Sequence, residues 1–252
     1  MLAPYPGAEV VDSYAALLER RDVDAVYIPL VNNLHLPWTR LALEHGKHVL
    51  CEKPLAMNAV EAEEMAAAAS RAGRLLMEAF MYRFDPRVRD FIAKVSDPLH
   101  VNVTFGFRLA EHENFRFDAS LGGGALLDVG CYCVSLSRWI LGEPTNVVAG
   151  ARMKDGADMT TTAMLTVEGG RTSSVWASFE SPEVQAVTVI AGDDVRSLER
   201  PFTGPLKPTE PYRLMVESFA ESVIGDRPVP IPLSESIANM RTLDRIRAAF
   251  SS

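Results

Sequence analysis

Between Ala25 and Ala79, three short apolar runs alternate with two stretches of helical composition, and this rhythm constrains the fold more than any other feature. Ala25-Val26-Tyr27-Ile28-Pro29-Leu30, His48-Val49-Leu50-Cys51 and Leu75-Leu76-Met77-Glu78-Ala79 read as buried strands. Residues 36–45 and 59–72 read as helices, closed by Gly46 and Gly73, which suit the left-handed position after a helix end. A shorter helix at 13–20, capped by Asp12 or Ser13, precedes them. A βαβαβ order of this kind predicts parallel strands joined by right-handed crossovers.

The period changes after residue 98. Residues 101–109 (VNVTFGFRL) alternate as a half-exposed strand does. A helix is expected over 125–141, followed by strands at 147–153, 160–167, 172–179 and 184–191, with Glu168-Gly169-Gly170 as a hairpin link. Residues 201–211 form a loop with four prolines, and 212–224 and 234–250 read as two final helices. The expectation is an α/β unit over residues 1–98, built on a partial parallel sheet. An α+β unit with a mostly antiparallel, open sheet and C-terminal helices follows over 99–252.

Bulk properties exclude several classes. Of the 252 residues 48% are hydrophobic and 23% charged, ordinary for a globular chain, and the net charge of -8 carries no basic stripe for nucleic acid. No apolar run is long enough to suggest a membrane span, and no basic-then-apolar leader opens the chain. Three cysteines, Cys51, Cys131 and Cys133, contain no Cys-x-x-Cys pair. They are expected to pack in the core of a cytoplasmic protein rather than to hold a metal or form disulfides.

Two runs carry chemistry. Glu52-Lys53-Pro54 follows the second strand directly, where open parallel sheets bind their ligands. Proline keeps the residue before it out of helical angles, so Lys53 belongs to the strand-end turn. Gly122-Gly123-Gly124 then opens the helix that holds Asp128 and Tyr132, four apart and so on one face. The glycines suit close approach of backbone to a ligand. A phenol titrates near 10 in water, and Lys53 is the cation expected to draw Tyr132 toward neutrality. Arg116 reads equally as a loop arginine or as one reaching the substrate.

These runs, with Val23-Asp24-Ala25-Val26-Tyr27-Ile28, Asn32, His35, and Glu78-Ala79-Phe80-Met81-Tyr82-Arg83-Phe84, occur in one order. Together they resemble the glucose–fructose oxidoreductase/inositol dehydrogenase (Gfo/Idh/MocA) family. The Gly-Cys-Tyr-Cys ending at 130–133 is similar to its dihydrodiol and xylose dehydrogenase branch. The resemblance implies a Rossmann-like unit and an NAD(P)-dependent oxidoreductase acting on a sugar, polyol or cyclic diol. Lys53, Tyr132 and Asp128 would be catalytic. Asn32, His35, Glu52 and Arg83 would lie along NADP or NAD. Asp85 stands where close relatives have a histidine. A homodimer through the open sheet is also implied, with no metal, nucleic-acid or membrane partner.

One departure stands out. The family opens with a strand, a Gly-x-Gly-x-x-Gly turn and a helix that seat the cofactor pyrophosphate, and residues 1–252 contain no such turn. The expectation is a truncated Rossmann-like sheet with an exposed strand edge and weakened cofactor binding, with a misplaced start codon as the favoured origin. The alternative is a non-redox sugar-binding or scaffold protein.

Overall fold

The computed structural model describes residues 7–110, 114–204 and 209–251. Helix α1 (Tyr14–Glu19) begins at Ser13, whose hydroxyl accepts the N–H of Ala16 at 3.1 Å. Strands β1 (Ala25–Ile28), β2 (His48–Cys51) and β3 (Leu76–Glu78) form an all-parallel sheet in that order. They are connected by α2 (His35–Glu44) and α3 (Ala59–Ala72). The two glycine caps behave as their positions require: Gly46 has φ +72° and Gly73 φ +59°. Among the described residues β1 has one strand neighbour, so its other edge is open, and Tyr27 on it is 46% exposed. The run from Ala25 is therefore only half-buried.

Helix α4 (Pro86–Ala93) leads into β4 (His100–Arg108). Sequence reading overlooked α4 and noted Asp85 only as standing in the place of a family histidine. Asp85 instead caps it, accepting from Arg87 N at 2.8 Å and pairing with the Arg87 guanidinium at 2.7 Å. A π-helical turn at Leu126–Gly130 precedes α5 (Cys131–Leu141). Strands β5 (Pro144–Lys154), β6 (Ala157–Val167), β7 (Thr172–Ser178), β8 (Glu180–Ala191) and β9 (Asp194–Glu199) complete a second sheet. Its order is β5-β6-β7-β4-β8-β9, antiparallel except for the central β4–β7 pair. β9 escaped sequence reading because it is a polar edge strand, DVRSLE, without an apolar alternation.

Helices α6 (Thr209–Ile224) and α7 (Leu233–Ala248) close the chain. The loop expected over 201–211 falls partly outside the described residues, as does His112. α7 brackets the two sheets. Asp244 accepts the N–H of Ala59 at 2.8 Å, Arg241 pairs with Glu63 at 2.7 Å, and Arg245 donates to the Pro144 carbonyl at 2.6 Å. The last helix therefore packs on α3, α5 and β5. Among the described residues, Ala119–Leu141 is the one helical stretch long and apolar enough to cross a membrane, and it is mostly buried inside the protein. All three cysteines are free and buried.

Candidate active site

A cavity of about 470 Å³ opens where the carboxyl ends of β1 and β2 meet the 126–132 turn, a volume typical of small-molecule sites. Asn32, Glu52, Lys53, Arg116 and Asp128 make its polar wall. Tyr27, Phe105, Phe107, Phe115, Tyr132 and Tyr212 supply its rings.

Lys53 reaches this cavity from the turn that follows β2, which ends at Cys51; the Lys53–Pro54 bond is cis. Its ammonium donates to Asp128 Oδ1 at 3.0 Å and to the Asp128 main-chain oxygen at 2.9 Å. Arg116 Nε donates to the other carboxylate oxygen at 2.7 Å. One carboxylate thus joins two cations, one on each oxygen, and the Lys53 and Asp128 side chains keep only 14% and 10% of their surface exposed. Burial works against both charges, but each is held by the other. Burial is the largest single influence on Lys53, but Asp128, Cys131 and Glu52 together keep its ammonium above the ordinary value. Lys53 and Arg116 likewise keep Asp128 below the usual carboxylate range. The π-helical turn that presents Asp128 is a form seen mostly as single turns at functional sites, and apolar periodicity carried no sign of it.

Tyr132 enters from the first turn of α5. Its ring is fixed by Phe80, Tyr82, Phe105 and Phe202, with centroids 5.4, 5.8, 5.7 and 5.2 Å away. Lys53 Nζ stands 5.1 Å from the ring centroid. The amine of one sheet and the phenol beside the other therefore converge on one cavity. The expected lowering of Tyr132 is not found. Burial holds its phenol well above the ordinary value, because Asp128 already claims the Lys53 charge at closer range. Tyr132 is a neutral O–H donor at physiological pH.

The other anticipated residues divide. Glu52 and Asn32 line the cavity. Glu52 accepts the Tyr27 hydroxyl and the Lys53 N–H, while Asn32 Nδ2 donates to the Gly122 carbonyl at 2.8 Å. His35 and Arg83 are not brought to the cavity wall. His35 is fully buried, its ring nitrogens 2.9 Å from the carbonyl oxygens of Pro54 and Leu30. Arg83 pairs with Glu235 at 3.0 Å and lies 3.9 Å over the Trp139 ring. The position of His35 in the motif gave no hint of this, since it lies one turn beyond Asn32, which does reach the cavity. Tyr212 was missed for a different reason: it comes from α6, about 80 residues along the chain from Tyr132.

The three glycines are each required by the protein's own close packing. A Cβ on Gly122 would sit 2.5 Å from Asn32 Cβ, and one on Gly123 2.6 Å from the Arg116 carbonyl oxygen. At Gly124, φ is +106° and a Cβ would lie 2.1 Å from Asp158 Oδ1. Asp158 in turn accepts the Leu126 N–H at 2.7 Å and anchors the turn that presents Asp128. A Gly124→Ala variant is expected to lose at least about 2 kcal/mol of stability, from the left-handed backbone and the clash together. Urea unfolding followed by circular dichroism measures it.

Comparison with known proteins places these features. Residues 2–80 match GFO_IDH_MocA, described as an oxidoreductase family with an NAD-binding Rossmann fold, and residues 87–195 match the GFO/IDH/MocA C-terminal domain. The chain is 38% identical to D-xylose 1-dehydrogenase (NADP(+)) 2 of Haloferax volcanii, over 93% of this chain and 80% of that protein. It is 35% identical to trans-1,2-dihydrobenzene-1,2-diol dehydrogenase of Xenopus laevis, over 63% of this chain and 50% of that one. The fold superposes on a single-residue mutant of a 3-ketoreductase from Actinomadura kijaniata, solved with TDP-benzene and NADP, with a TM-score of 0.90 at 28% identity. That match covers 96% of this chain and 83% of the ketoreductase.

Proposed function

This chain belongs to the Gfo/Idh/MocA oxidoreductase family, and from that premise we propose that it interconverts a hydroxyl and a keto group on a sugar, polyol or cyclic diol with NADP or NAD. The reading rests on one observation: Lys53, Asp128 and Tyr132 meet in one cavity at the carboxyl end of β2. NAD(P), when bound, takes up or delivers the hydride. The residues present fit its nicotinamide–ribose end, since Asn32 and Glu52 stand beside Lys53 at the strand ends. A glycine-rich pyrophosphate turn is not among residues 1–252.

The chain's own groups supply the proton chemistry. The Lys53 ammonium, held in its charged form by Asp128, faces the substrate oxygen and stabilises the charge that grows there. Tyr132 donates its phenolic proton to that oxygen in reduction, and the same route runs in reverse for oxidation. Asp128 and Arg116 fix the ammonium and take hydrogen bonds from or give them to a neighbouring hydroxyl. The rings of Tyr27, Phe107, Phe115 and Tyr212 give a cyclic substrate flat apolar faces to lie against.

The test is direct. NADPH and NADH are titrated into the 252-residue chain with nucleotide fluorescence as readout, followed by absorbance assays with D-xylose and trans-cyclohexane-1,2-diol. Binding tighter than about 1 mM with cofactor-dependent turnover supports the proposal, and no nucleotide binding at that concentration removes it. Thermal stabilisation by sugar alone, without nucleotide, favours instead a non-redox sugar-binding protein, a reading motivated by the missing glycine turn.

Two further readings accompany it. The outward face of the six-stranded sheet exposes Val148, Met164 and Ile190 among threonines and serines, and we read it as a homodimer surface. Light scattering should give about twice the 27.6 kDa chain mass. Three buried, unpaired thiols fit a reducing, cytoplasmic setting.

A further inference from the structure

Glu78 ends β3 with none of its surface exposed, and the chemistry above makes no use of it. Its Oε1 accepts the main-chain N–H of Leu55 at 2.8 Å. Its Oε2 is buried with no hydrogen-bond partner among the described residues. On the other side, His35 Nδ1 lies 2.9 Å from the Pro54 carbonyl oxygen. The Pro54 carbonyl and the Leu55 N–H belong to one planar peptide unit, so that unit is gripped at both ends. It directly follows Lys53, whose own N–H is held by Glu52 at 3.1 Å. The frame behind it is rigid as well: Ala79 N donates to the Cys51 carbonyl at 2.7 Å. A buried carboxylate is costly unless it is hydrogen-bonded, and its bond to Leu55 N–H goes to the loop that carries the Lys53 amine.

We propose that Glu78 is a positioning residue: working opposite His35, it holds the Pro54–Leu55 peptide and so sets where the Lys53 ammonium stands against Asp128 and Tyr132. The catalytic consequence rests on the proposed role of Lys53, whereas the grip itself does not. Glu78 is faced by Ser236 of α7, Arg138 of α5, Glu52 of the strand-end turn and the Cys51 and Cys131 thiols. Burial is the largest influence on its carboxyl and pushes it up to about 7. Below that pH the group is a neutral acid and a weaker acceptor for Leu55; above it, a carboxylate and a stronger one.

The experiment uses the whole chain, ¹⁵N-labelled. In the wild type the Leu55 amide proton should move downfield as pH rises, with a midpoint near 7. In Glu78→Gln, whose amide oxygen still accepts the same N–H, the resonance should be flat with pH. In Glu78→Leu, Leu55 hydrogen exchange should quicken about tenfold, the loss expected for one buried hydrogen bond. Trinitrobenzenesulfonate modification of Lys53, read by peptide mass spectrometry, should quicken about as much, while Glu78→Gln stays within about twofold of wild type. Unchanged exchange and reactivity in Glu78→Leu overturn the proposal, as does a Gln variant as perturbed as the Leu variant. Should Glu78→Leu fail to fold, an identical pH response of Leu55 in wild type and Glu78→Gln overturns it. If the grip is found but a Lys53 variant keeps full turnover, the chemistry assigned to Lys53 fails and the grip stands.

Discussion

A Lys53→Met variant is expected to lose about a thousandfold in kcat, the size of effect seen when a charge-stabilising or proton-transferring group is removed from a buried site. Methionine keeps the length and most of the volume of the lysine stem but removes the ammonium that donates twice to Asp128. The NADPH dissociation constant should stay within about threefold of wild type, because the loss is specific to the transition state. The fold should survive, since Asp128 keeps its bond from Arg116 at 2.7 Å. Nucleotide fluorescence, the absorbance assay and a melting curve on the same preparation separate these outcomes. A variant retaining more than about a tenth of wild-type kcat would show that the cavity carries its chemistry elsewhere.

The second large effect is on stability. Asp128→Ala should cost about 3 kcal/mol, because it strands the Lys53 ammonium without its counter-charge in a site where the lysine side chain is only 14% exposed. Removing both partners should be milder. An Asp128→Ala/Lys53→Met double variant is expected to recover most of that loss, and the double-mutant cycle reads the coupling. The pH dependence has a definite sign. The folded state holds the Asp128 carboxyl below its ordinary value of 3.8, so the stability it contributes is full above that value. It drains away as pH falls toward the folded value. The gap between wild type and Asp128→Ala should therefore narrow as pH drops below about 4. A gap that is constant with pH would show that folding leaves the Asp128 carboxyl at its ordinary value, and one that shrinks as pH rises above about 4 would show that the buried carboxyl is neutral.

Much of the frame was legible along the chain. The three parallel strands, their two helices and the glycines at 46 and 73 follow from local period and from the few residues that tolerate a left-handed turn. That Lys53 would reach a strand-end cavity was legible because a strand end followed by proline leaves few places for a side chain to go. Asp128 and Tyr132 followed from their spacing on one helix. β9 and α4 were not legible, since one is a polar edge and the other begins at an Asp-Pro pair that reads equally as a loop. The contacts that hold Gly122, Gly123 and Gly124 were not legible, because a glycine run does not show which groups, here Asn32, Arg116 and Asp158, approach it.

The amino-acid order alone determined which segments are strands and helices, that the first sheet is parallel, and which residues could meet at a strand end. These are local matters, settled by backbone sterics and by apolar spacing over a few residues. Only the tertiary structure decided that Asp128 is shared between Lys53 and Arg116, that Tyr132 stays protonated, and that His35 and Arg83 turn away from the cavity. Those outcomes depend on charges and rings brought together from distant parts of the chain, as far apart as Arg83 and Glu235. Electrostatic energy depends on distance and burial in three dimensions, which no period along the chain encodes.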